Sequence, residues 1–127
     1  MAQIAAKIMK NEEFPKKLSM TLVLDENDSI IESLKTGLKE NNIREATIVG
    51  ASGKIKQAVI QFMDRGILKT EEISNSEILR ASGLISLSGG ALFGRMNISA
   101  GIKGVTSGTV LKGTAKERMQ IHLTFFK

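Results

Sequence analysis

Cysteine is absent from this 127-residue chain, as are tryptophan and tyrosine, and there is one histidine and one proline. Without cysteine there is no disulfide scaffold, zinc–thiolate site, iron–sulfur cluster or thiol nucleophile. The lone His122 excludes a cluster of imidazole ligands within one chain. Five phenylalanines are the only aromatics, few for a platform on which bases could stack. No apolar run approaches the roughly 18 residues of a membrane-crossing helix, and the N-terminus lacks the pattern of a signal peptide. These absences predict a soluble, cytoplasmic protein with no membrane partner.

What remains is ordinary globular material, 42% hydrophobic and 24% charged, a balance that argues against disorder. At roughly 150 residues per domain the length predicts one domain over residues 1–127, with 1–17 as an N-terminal extension or edge element. Net charge is +5, unevenly spread. Residues 18–53 carry −3, whereas residues 81–127 carry +5, from Arg95, Lys103, Lys112, Lys116, Arg118 and Lys127 against Glu117 alone. A basic C-terminal third can attract phosphate backbones or an acidic partner; the plainer reading is a solvated surface. Strand register decides whether these residues share a face.

Leu18, Met20, Leu22 and Leu24 alternate with Ser19, Thr21 and Val23, the period of a strand. Ser29 and Glu32 form a capping box at the start of an amphipathic helix over about residues 29–42. Its stripe is Ile30, Leu34 and Leu38, and Asn41-Asn42 suit its end. Ala46–Val49 reads as a short strand running into a turn at Gly50–Gly53. Ile55–Met63 and Ile67–Glu71 form a hairpin around Asp64–Gly66, followed by a polar stretch at Ser74–Ser76. Four further strands are expected at Leu84–Ser88, Leu92–Ser99, Thr106–Lys112 and Arg118–Phe126, separated by Gly89-Gly90, Gly101–Gly104 and Gly113. The predicted class is α+β, a mostly antiparallel sheet packed with one main helix.

Chemical motifs are weak. Ala51-Ser52-Gly53-Lys54 resembles the end of a phosphate-cradling loop, but Ile48 stands where its first glycine is required and a strand follows where a helix is needed. Strand alternation puts His122 and Thr124 opposite Ile121, Leu123 and Phe125, and a lone histidine is more often structural than a ligand. Ser52, Ser86, Ser88 and Ser107 lack a base partner, and the carboxylates read as solvated surface. No catalytic residue, metal ligand or cofactor is expected, and the chain is read as non-enzymatic.

Four segments in order resemble a known family. They are Leu24–Leu34 at the helix entry, Asn41–Ala58 through the helix end and its glycine turn, Leu84-Ile85-Ser86-Leu87-Ser88-Gly89, and Ser107–Gly113. Over about residues 18–126 the chain resembles the plant and prokaryote conserved (PPC) domain, of the prokaryotic stand-alone kind, because an AT-hook is absent. The resemblance implies an α+β homotrimer, associated with DNA in plant members. Many prokaryotic members hold a metal with a His-x-His pair and a later histidine. The corresponding positions here are Arg95, Asn97 and Thr109, none an imidazole, so the metal site is expected to be lost. The partner-binding hexapeptide of plant members would fall near Arg80–Ile85 and matches poorly.

Two functions are therefore expected in parallel. In one, a homotrimer contacts DNA phosphates through Lys103, Lys112, Lys116 and Arg118. In the other, a binding protein or an enzyme takes a small anionic ligand between trimer subunits at Arg95, Asn97 and Thr109.

Overall fold

The computed structural model describes residues 16–101 and 105–126; the expected N-terminal element up to residue 15 and Lys103 lie outside them. Eight strands and one helix follow in order: β1 (Lys17–Leu24), α1 (Ile30–Glu40), β2 (Glu45–Ser52), β3 (Lys54–Asp64), β4 (Ile67–Ser88), β5 (Ala91–Gly94), β6 (Asn97–Ala100), β7 (Thr106–Ala115) and β8 (Met119–Phe126). Every pairing between them is antiparallel. The fold is α+β and mostly antiparallel sheet, as the sequence predicts.

The helix forms for local reasons. Ser29 Oγ accepts the Glu32 N–H (3.3 Å), satisfying one donor of the first turn. At the other end Asn42 turns left-handed (φ 54), the Asn42 N–H meets the Lys39 carbonyl, and the Ile43 N–H reaches the Leu38 carbonyl at 2.9 Å. That 6→1 closure is a Schellman ending with asparagine in the place glycine usually takes. Ile30, Leu34 and Leu38 are fully buried, and Gly37 lets Leu22 of β1 approach the helix axis.

β4 is one 22-residue strand serving two sheets. Its first half pairs with β3, its middle with β6, and its last residues with β2 and β5. Because β7 joins β3 to β6, the strands β3, β4, β6 and β7 close on themselves. Ile55, Ala58, Ile60, Ile78, Ile98 and Val110 are buried in that closed unit. The second sheet is open, in the order β1-β8-β2-β4-β5. It buries Leu24, Ala46, Ile48, Ile85, Ile121, Leu123 and Phe125.

Five boundaries differ from the sequence reading, the first being that Ile67–Glu71 and Leu84–Ser88, expected as separate strands, are the two ends of the single β4. The polar stretch at Ser74–Ser76 is strand, because pairing with β3 satisfies its backbone while its outer face is wet. The expected strand Leu92–Ser99 is two strands, β5 and β6, split where the chain leaves one sheet for the other. β2 runs through to Ser52, leaving Gly53 as the turn, and Gly113 lies inside β7, where it packs directly on Ala58.

The corner between the sheets depends on two glycines. Gly94 has φ 101, and a Cβ there would lie 2.1 Å from the Leu84 carbonyl oxygen. A Cβ on Gly83 would lie 1.9 Å from the Arg95 carbonyl oxygen. Only glycine permits this approach of two backbones.

Candidate functional site

The expected site residues fall into three places. Arg95 and Asn97 are exposed and alternate with the buried Met96 and Ile98, so they stand on the outer wall of the closed sheet. The Arg95 N–H donates to the Leu84 carbonyl at 3.0 Å, which fixes the backbone at the corner. Thr109 pairs in register with Asn97 on one side and Gln61 on the other. Its hydroxyl donates to Asn97 Oδ1 at 2.6 Å. Continuing the register gives a polar row, Ser82–Asn97–Thr109–Gln61–Thr70, across the four closed strands. The structure thus joins Asn97 and Thr109 and sets Arg95 beside them.

This donor set does not fit a transition-metal ion. Asparagine and threonine are weak neutral donors already bonded to each other, and Arg95, two residues from Asn97, carries a guanidinium, which repels cations. Among the described residues no group of three or more His, Cys, Asp or Glu side chains is placed to hold a metal.

Lys116 and Arg118 lie in the β7–β8 turn, where Arg118 adopts φ 59. That turn is locked onto the β2–β3 turn. The Lys116 N–H donates to the Lys54 carbonyl at 3.0 Å, and Gly53 packs against the Arg118 carbonyl and the Met119 backbone. Lys54, Lys116 and Arg118 therefore share one end of the molecule, together with Glu77, the strand partner of Lys54, and Glu117 in the turn itself. Lys116 Nζ contacts the neutral Asn75 Oδ1 at 3.3 Å. The ion pairs among the described residues are Lys56–Glu26 and Lys69–Asp64, so none of the three is neutralised by one. Lys54 was missing from the sequence-based set. Its signal was present, a lysine directly after the turn glycine, but only the contact between two turns distant in sequence joins it to Lys116.

Lys112 stands apart. It pairs with Val59, five residues along β3 from Lys54, or roughly 16 Å at strand spacing. It lines a separate cavity with Glu72. His122 sits on the outer face of the open sheet, half-buried, with Nδ1 3.0 Å from Thr21 Oγ1 and Gly50 beside its ring. Its partner is a neighbouring strand's hydroxyl, and Ile121 and Leu123 are buried on the other face as the alternation predicts.

That outer face carries large apolar side chains among its polar ones. Leu84 is 71% exposed, Phe126 66% and Phe93 55%, and the register brings Leu84 next to Thr47 and Thr47 next to Thr124. No described helix is long and apolar enough to cross a membrane.

These features define a small α+β domain in which an open antiparallel sheet and a closed one share a strand under a single described helix. The chain belongs to the Plants and Prokaryotes Conserved (PCC, or PPC) domain family, whose profile matches residues 11–127. The plant- and prokaryote-conserved protein of Pyrococcus horikoshii has the same fold, with a TM-score of 0.74, 20% identity, and 91% of this chain and 83% of that one covered. A protein from Archaeoglobus fulgidus described as metal-containing superposes with a TM-score of 0.72 at 22% identity, covering 91% and 82% of the two chains. A protein from Ralstonia eutropha does so with a TM-score of 0.70 at 17% identity, covering 93% and 85%. No curated protein matches the chain in sequence.

Proposed function

We propose that the protein is a cytoplasmic, non-enzymatic, single-domain PPC homotrimer that associates with DNA through phosphate contacts. The observation that carries this reading is the end formed by Lys54, Lys116 and Arg118. Three cations are presented at two interlocked turns, and although Glu77 and Glu117 stand beside them, none of the three is in an ion pair among the described residues. Phosphate contact needs only such a positive surface; reading bases needs side chains shaped to enter a groove. The Ralstonia eutropha relative, itself described as a supposed DNA-binding protein, supports the same direction. Self-association is supported by Leu84, Phe93 and Phe126, because exposed apolar side chains of this size gathered on one sheet face mark a surface that gains by being covered. A three-fold assembly would present three copies of the basic end, multiplying weak contacts into a useful affinity.

Fluorescence anisotropy of a labelled duplex, titrated at about 50 and 200 mM salt, tests the DNA contact. The expected result is binding that weakens steeply with salt, with a log–log slope near −0.9 per phosphate contact. Absence of binding at the lower salt would remove this reading.

A second reading is supported by the Thr109–Asn97 bond. With its oxygen taken, Asn97 keeps its amide hydrogens as donors two residues from Arg95, a donor set suited to a small anionic ligand between subunits. Arg95→Ala separates the two: it leaves DNA affinity unchanged under the first reading and abolishes ligand binding under the second.

A further inference from the structure

β3 is flanked on both sides in the closed sheet, and its register aligns two rows on the outer wall. In one row Glu72 of β4, Val59 of β3 and Lys112 of β7 are successive partners. In the next, Ser74, Gln57 and Thr114 are. With strands about 4.8 Å apart, the Glu72 and Lys112 backbones stand about 10 Å from each other across the apolar Val59. Side chains of that reach could meet, yet neither residue belongs to an ion pair among the described residues. The space between them is a cavity of about 360 Å³, closed at one end by Ser29 where the start of α1 bridges to Thr114.

A lone anion in this cavity would be repelled by Glu72, and a lone cation by Lys112. A molecule carrying both charges satisfies both walls. We propose that the cavity binds a small zwitterion of the ω-amino-acid type. Its carboxylate lies on Lys112 Nζ, its ammonium on the Glu72 carboxylate, and its methylene chain over Val59. Gln57, Ser74 and Thr114 supply amide and hydroxyl groups along one side. The site is separate from the basic end and from the Arg95 patch, so it stands or falls independently of the DNA reading.

The test is an NMR titration of the ¹⁵N-labelled full chain with 5-aminopentanoate, against butyrate and butylammonium as single-charge controls. The expected result is saturable shifts confined to amides around Val59, Glu72 and Lys112–Thr114, with each control at least about fivefold weaker, the worth of one partly exposed ion pair. Glu72→Lys and Lys112→Glu each abolish the response. The double swap restores it, because the ligand can bind turned round. Where a reversal perturbs folding, which thermal melts report, Glu72→Gln and Lys112→Gln each weaken the response about fivefold instead. Equal response to the single-charge controls, shifts elsewhere on the protein, retained binding in either reversal, or a silent double swap would overturn the proposal.

Discussion

The closed sheet and the open sheet share β4 yet differ in how they treat their edges. The closed unit pairs both edges of each of its strands somewhere along its length, and it carries one polar row from Ser82 round to Thr70 while also exposing Met63, Leu79 and Leu111. The open sheet leaves β1 and β5 as edges and turns Leu84, Phe93 and Phe126 to solvent. Closure removes the unpaired backbone that invites another chain, so a wall so built can serve small ligands. An open sheet with free edges and exposed Leu84, Phe93 and Phe126 is suited to protein partners. Lys54, Lys116 and Arg118 sit where turns of the two sheets meet.

The comparison is broken most severely at the corner. Gly94→Ala forces a Cβ into the Leu84 carbonyl at a residue with φ 101, and is expected to cost roughly 3 kcal/mol or more, read as a lower denaturant midpoint or loss of soluble protein. Gly66→Ala, in the open space of the β3–β4 turn, keeps only the strain of its positive φ and costs about 1 kcal/mol. Equal effects would mean the corner is not what holds the sheets in place.

The apolar face comes next. Leu84→Asp with Phe126→Asp is expected to reduce the mass in light scattering to the 13.8 kDa monomer, each substitution removing about 1.5–3 kcal/mol of burial from the interface. Thr70→Asp on the closed wall leaves the mass unchanged. A 13.8 kDa mass for the unsubstituted protein would remove self-association altogether.

The basic end should respond more gently. Replacing Lys54, Lys116 and Arg118 together by alanine is expected to flatten the salt dependence of DNA binding by roughly 0.9 for each phosphate that is no longer neutralised, while Lys112→Ala changes it little. Smallest is Thr109→Val, which removes a half-exposed hydroxyl from Asn97; a destabilisation of about 0.5–1 kcal/mol in chemical unfolding is expected.

Much of this was legible in the chain. The helix was, because its cap, stripe and asparagine ending are local signals read within fifteen residues. The strand faces of β1 and β8 were, because one wet and one dry side leave a period of two. The Ser74–Ser76 stretch misled because a solvated hairpin strand carries the composition of a loop. Leu92–Ser99 misled because β-forming residues continue through the corner, and only the paired approach of Gly83 and Gly94 to distant carbonyls marks the break.

The site divided the same way. Asn97 and Thr109 were singled out together and are partners, whereas Lys112 was grouped with Lys116 and Arg118 only by nearness in sequence. Along a strand four residues span about 13 Å, so sequence neighbours separate while distant turns meet. The sequence by itself determined the α+β class, the helix and its ends, and which strand positions turn inward, since each depends on propensity and periodicity over a few residues. Tertiary structure alone decided that β4 would serve two sheets, that Lys54 would join Lys116, and that Glu72 would face Lys112 across Val59. Those juxtapositions depend on register between strands far apart in the chain, and register is set by packing of the whole core.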